Sequence, residues 1–117
     1  MISSLFRFHG HNSLRYVYAN GQATRSQFLT IRSVNNPHRR NPRISAVVSK
    51  KVFKKAVGRN RIRRRLYEYT RTHLEQLNGV YDIVIIVTSA EVRTMPTAEL
   101  YETLDQLFIK AGLYKEQ

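Results

Sequence analysis

With 117 residues, 42% of them apolar, the chain can bury a core of its own and is too short for several, so one globular domain over 1–117 is expected rather than whole-chain disorder. It holds no cysteine, which excludes disulfides, a thiolate nucleophile and any cysteine-based zinc site. Its net charge of +12 is unevenly spread: residues 1–67 carry sixteen Lys/Arg and no acid, whereas residues 68–117 carry four Lys/Arg against eight acids.

The first stretch, Met1 to Phe8, has no long apolar run and no small-residue cleavage site, so no signal peptide is read. Residues 11–20 pattern as a short helix, with Asn12 or Ser13 as its cap and Asn20-Gly21 as its stop. Residues 27–34 are rich in β-branched and aromatic types and predict a strand. Turn formers fill 35–42. A second strand follows over 43–49, expected to form a hairpin with the first. A long helix is predicted from Lys55 to Leu77. Its stripe of Ile62, Leu66, Tyr69, His73 and Leu77 recurs at three- and four-residue steps. Gly58 weakens its start, and Asn78-Gly79 ends it. Val80 to Thr88 has a continuous apolar centre, as a central strand does. That run is far too short to span a bilayer. A last helix is expected over 97–111, capped by Thr97 and closed by Gly112, with Leu100, Leu104 and Leu107 facing inward. The order α-β-β-α-β-α predicts an α+β, two-layer sandwich.

The basic block lies at the strand-to-helix junction. Lys50, Lys51, Lys54 and Lys55 precede Arg59, Asn60, Arg61, Arg63, Arg64 and Arg65, and the cations fill almost everything the apolar stripe leaves free. Only Glu68 offers an acid nearby, so pairing within the helix cannot neutralise them. A face of one sign repels itself until a polyanion covers it, and guanidinium forks suit phosphates. Nucleic acid is the expected partner. Asn60 is a poor residue for a helix interior. It reads either as a contact to a base edge or sugar hydroxyl, or as a cap for a helix that starts later. Arg39, Arg40 and Arg43 in the preceding loop either extend the same footprint or sit elsewhere. Tyr16, Tyr18 and Phe28 are the candidate rings for stacking on unpaired bases. Tyr67, Tyr81 and Tyr101 read as structural.

Catalytic groups are scarce. His9 and His11 form a pair without a third ligand, His38 sits in a loop, and His73 lies on the apolar stripe. The basic half has no carboxylates for a two-metal site; Asp82 is read as a strand terminator. The residues therefore describe an RNA binder without its own catalytic machinery, and no strongly apolar amphipathic face favours a membrane.

The run Pro42-Arg43-Ile44-Ser45-Ala46-Val47-Val48-Ser49-Lys50-Lys51, then Lys55-Ala56, then Arg59-Asn60-Arg61-Ile62-Arg63-Arg64, closely resembles the signature of the bacterial ribonuclease P protein subunit. Arg7-Phe8, the helix ending at Gly21, Tyr81 to Val87 and the last helix resemble other parts of that family. The resemblance implies an α/β sandwich with a left-handed βαβ crossover. It implies a protein subunit that helps a catalytic RNA, working with Mg²⁺ ions, to remove the 5′ leader from precursor tRNA in the cytoplasm. The RNA-binding residues would be Lys50, Lys51, Lys54, Lys55, Arg59, Asn60, Arg61, Arg63 and Arg64. The single-stranded leader would lie in a cleft lined by Leu14, Tyr18, Phe28, Ile31 and Arg32. No small-molecule substrate is implied. The chain departs from the family at Leu14 and Ile31, where aromatics are common, and at Thr88 and Ser89, where basic residues are usual. Readings from other classes are a ribosomal protein or general RNA chaperone, a DNA-binding module, and a self-sufficient nuclease.

Overall fold

The computed structural model describes the backbone over 11–115 and side chains over 14–115. The caps proposed at Asn12 and Ser13, the His9–His11 pair and Arg7-Phe8 lie outside the described side chains. The elements are α1 (His11–Asn20), β1 (Gln22–Arg25), β2 (Leu29–Asn35), β3 (Arg43–Val47), α2 (Ala56–His73), β4 (Tyr81–Val87) and α3 (Thr97–Lys110). Short 3₁₀ turns follow α2 at Leu74–Gln76 and β4 at Ala90–Arg93. The fold is α+β, with one strand more than the sequence pattern predicts.

That extra strand is β1. Gln-Ala-Thr-Arg has no apolar alternation, so nothing local marks it. It exists because β2 offers a free edge, with Gln22 opposite Ser33 and Arg25 opposite Thr30. Ser26 closes the turn: its Oγ accepts from the N–H groups of Phe28 and Leu29 at 3.3 and 3.2 Å.

The sheet order is β1-β2-β4-β3. The expected hairpin between β2 and β3 does not form, because β4 lies between them. It runs antiparallel to β2 and parallel to β3. The physical reason is burial. Ile83, Val84 and Ile85 are all fully buried, so residues on both faces of β4 need cover, and only a central strand is covered on both sides. The edge strand β3 is protected by α2, where the Tyr67 hydroxyl accepts the Ala46 N–H at 3.1 Å.

On one face of the sheet, Leu29, Ile31, Ile44, Ala46, Ile83 and Ile85 meet Ile62, Leu66 and Tyr69 of α2 and Leu100, Leu104 and Phe108 of α3. On the other face, Val17 of α1 packs on Val84, with Leu14, Val34, Val47 and Ile86 around them. Each of these two valines is fully buried, and each burial stabilises by roughly 1.5–3 kcal/mol. The parallel β3–α2–β4 unit thus carries the basic helix, and among the described residues α1 covers the opposite face.

Three local expectations change. The long helix ends at His73 rather than Leu77; Leu77 is buried but extended, beyond the 3₁₀ turn. The cap of α3 is Pro96, not Thr97, and it makes no side-chain cap bond. Asp82 does not terminate β4 but lies buried within it. Gly112 closes α3 as expected, with φ +75, a conformation that favours glycine.

Candidate nucleic-acid interface

The segment from β3 to α2 is built to present cations. Lys50, Lys51, Lys54 and Lys55 are all exposed on the loop between the two elements. The loop is folded, not loose: the N–H groups of Val52 and Phe53 both donate to the Ser49 carbonyl at 3.1 Å. The Phe53 ring lies against the first turn of α2 where Gly58 has no side chain. Its ring also lies 5.2 Å from the Arg93 guanidinium, a cation–π contact from the 3₁₀ turn after β4.

The arginines of α2 divide by task. Arg59 is half-buried and donates to the carbonyls of Phe53 (3.1 Å) and Lys54 (2.6 Å), which fastens the lysine loop to the helix. Arg63 donates to the Asn60 side-chain oxygen at 2.8 Å, one turn away. Asn60 stands in the second turn, so it is not the cap of this helix. Arg65 points the other way, donating to the carbonyls of Val92 (2.6 Å), Arg93 (3.2 Å) and Met95. It is therefore a strut between α2 and the turn that leads to α3. Arg61 and Arg64 are exposed, and with Val57, Asn60 and Arg65 they line a shallow hollow along the helix. Val57 is 79% exposed, a lone apolar group on that cationic face.

Arg43 leaves the footprint. Its Nε and a terminal nitrogen donate to the two carboxylate oxygens of Asp82 at 2.9 and 2.8 Å. Asn36 donates to the same carboxylate at 3.0 Å. Burial raises the carboxyl's pKa, but the hydrogen bonds from Arg43 and Asn36 and the nearby charges of Arg43 and Arg39 outweigh it and hold the group below its ordinary value. Arg39 and Arg40 remain exposed in the loop before β3.

The five residues expected to line a leader cleft do not come together. Leu14, Tyr18 and Arg32 do share the α1 face of the sheet. Arg32 donates to the Tyr18 carbonyl at 2.8 Å, and its guanidinium lies 5.8 Å from the ring of the same tyrosine. Tyr18 is exposed, as is Tyr16. Ile31 is a correction: it faces the opposite side, fully buried in the main core, because successive strand residues alternate faces. Phe28 is a second correction. It lies just before β2, packs against the main core and borders a cavity with α3. The sequence reading missed Arg25, Ile109 and Lys110 beside it, since only tertiary contact joins them.

At the far end of α2, His73 stacks on Tyr69 with ring centroids 4.0 Å apart, the packed role its place on the stripe predicts. The Tyr69 hydroxyl donates to Asp105 at 2.5 Å and meets the Tyr114 hydroxyl. Tyr67 and Tyr81 are likewise tied into the structure, Tyr81 by donating to Asn78 at 2.5 Å. Among the described residues no three His, Cys, Asp or Glu side chains gather to hold a metal ion, and no helix is long and apolar enough to cross a membrane.

Residues 4–112 match the Ribonuclease P family model. The chain is 35% identical over 112 residues to the ribonuclease P protein component of a Pseudanabaena species, covering 95% of each. It is 29% identical over 122 residues to that of Prochlorococcus marinus, covering 93% of this chain and 94% of the other. Its fold is similar to the solved RNase P protein of Staphylococcus aureus, with a TM-score of 0.83 at 23% identity, over 94% of this chain and 98% of that one. It is also similar to the RNase P protein of Thermotoga maritima, with a TM-score of 0.75 at 22% identity, over 86% and 94%.

Proposed function

This chain belongs to the ribonuclease P protein family, and we propose that it is the non-catalytic subunit that binds the catalytic RNA and the 5′ leader of precursor tRNA during removal of that leader. The observation that carries this reading is the surface from Lys50 to Arg64. It presents exposed lysines and arginines on a fastened loop and the adjoining helix, with no acid between them. Two RNAs repel each other. A layer of fixed cations between them lowers that repulsion and releases counterions from both. In this reading Lys50, Lys51, Lys54, Lys55, Arg61 and Arg64 meet phosphates directly. Arg59 contributes chiefly by holding the loop, and Arg63 with Asn60 forms a hydrogen-bonded pair on the exposed helix surface.

The leader lies, in this proposal, on the α1 face of the sheet, where Tyr18 offers a ring and Arg32 a charge beside it. Leu14 borders the same face. In this proposal the RNA subunit holds most of the Mg²⁺, and the cationic α2 face favours phosphates over divalent cations. The protein's part is to bind and orient, in the cytoplasm where precursor tRNA is made.

The test is cleavage of a precursor tRNA by a bacterial ribonuclease P RNA at low Mg²⁺, with and without the protein. A single cut at the mature 5′ end that requires the protein is the expected result. Binding of the RNA with no gain in cleavage would overturn the subunit role and favour a ribosomal or chaperone function. Cleavage by the protein without any catalytic RNA would overturn the non-catalytic assignment.

A further inference from the structure

A cavity of about 590 Å³ lies between the β1–β2 turn and the second half of α3, outside both surfaces described above. Its walls include Phe28 and Leu107, and Ile109 stands at its border, 64% exposed. Arg25 and Lys110 are the charged residues of its lining, both exposed, and no acid lines it. That is unusual for the acidic half of the chain, where α3 carries Glu99, Glu102 and Asp105. Ser26, Gln27, Thr103 and Gln106 complete the lining, so apolar surface, uncharged hydrogen-bonding groups and cations stand together without an anion, a combination that suits a nucleotide.

By register Arg25 belongs to the leader face, whereas Phe28 and Leu107 pack with the main core on the other face, so the cavity sits at the sheet edge between the two. In the β1–β2 ladder Ala23 stands opposite Arg32 and Arg25 opposite Thr30. Opposed residues share a sheet face, so Arg25 lies on the same side as Arg32, two residues or about 7 Å further along the strand. A strand of RNA that passes over Arg32 would meet Arg25 next, and Arg25 is the last residue of β1, at the turn that leads to Phe28.

We propose that this cavity is a second single-stranded RNA site that takes one unpaired nucleotide, its base against Phe28, Leu107 and Ile109 and its flanking phosphates on Arg25 and Lys110. This deepens the proposed function and rests on it for the identity of the RNA, an upstream nucleotide of the leader.

Two measurements test it on the full chain. In the first, the methyl resonance of Ile109 is followed by NMR during titration with a short oligouridylate and, separately, with inorganic phosphate. A shift with the oligonucleotide alone is expected. No shift, or an equal shift with phosphate, would overturn the nucleotide site. In the second, the protein bound to catalytic RNA is given precursor tRNAs with a short and an extended leader. The wild type is expected to bind the extended leader more tightly, and Ile109→Asp to lose that gain by about tenfold, the size of one stacked base, with short-leader affinity unchanged. If the wild type prefers the extended leader and Ile109→Asp keeps that preference, this inference fails and the leader reading stands. If the wild type shows no preference for any leader, the leader reading fails, and the oligouridylate titration alone decides whether the cavity takes a nucleotide.

Discussion

The ring of Phe53 occupies the space that a side chain on Gly58 would need: a Cβ built on Gly58 would lie 1.9 Å from the Phe53 ring. A residue that weakens the helix locally thus permits the loop of Lys50 to Lys55 to dock on α2. Propensity alone predicts that Gly58→Ala stabilises by about 1 kcal/mol. Overpacking is the larger effect here, so the substitution is expected to destabilise by about 1–3 kcal/mol in urea unfolding. The double variant with Phe53→Ala should show strong coupling, because removing the ring removes the clash. A more stable Gly58→Ala protein would show that the ring moves aside freely.

Asp82 governs the acid stability of the sheet. Its folded pKa lies below the ordinary carboxylate value, so its contribution is present above about pH 4 and is lost as pH falls through the lower, folded value. Asp82→Asn is expected to flatten that acid loss. At neutral pH it should cost about 3–5 kcal/mol, because Arg43 keeps its charge with the partner gone. The exposed pair Arg71–Glu68 offers the control, where loss of either side chain should move the urea midpoint far less. Equal costs at the two pairs, read from urea midpoints, would count against this ranking.

Arg64 and Arg65 are neighbours with opposite duties. Arg64→Ala is expected to leave stability unchanged and to reduce the slope of log affinity for the catalytic RNA against log salt by somewhat under one, about one phosphate contact. Arg65→Ala should leave that slope alone and lower stability by roughly 1–3 kcal/mol, since the carbonyls of Val92, Arg93 and Met95 lose their donor. Reversed outcomes in the salt titration would show that Arg65, not Arg64, meets the RNA.

Tyr18→Ala should weaken binding of precursor tRNA more than mature tRNA. The side chain is 40% exposed, so the fold loses little, and a stacked base contributes about 1–3 kcal/mol. Equal losses for the two tRNAs would remove the leader contact at this position.

Much of the molecule was legible in its residue order. The stripe of Ile62, Leu66 and Tyr69 placed α2, and the continuous apolar run of Ile83 to Val87 marked a central strand. Charge alone pointed to a polyanion, because the sixteen cations of residues 1–67, with no acid among them, outnumber the eight acids of the rest of the chain. These are local or summed properties, and neither needs a partner elsewhere in the chain.

The tertiary structure decided what depends on company. β1 exists only because β2 has an open edge. Arg43 is turned into an ion pair because Asp82, distant in sequence, is its neighbour across the parallel β3–β4 pair. Arg59 and Arg65 became braces because backbone carbonyls lie within their reach, which no side-chain pattern records. Ile31 and Arg32 were separated by the alternation of a strand, and Phe28 was turned toward α3 by the Ser26 turn. The sequence by itself determined how many cations the chain carries and which helix bears most of them. Folding determined which stay exposed on the surface, because a guanidinium binds whichever acceptor comes within hydrogen-bond range, and range is set by packing.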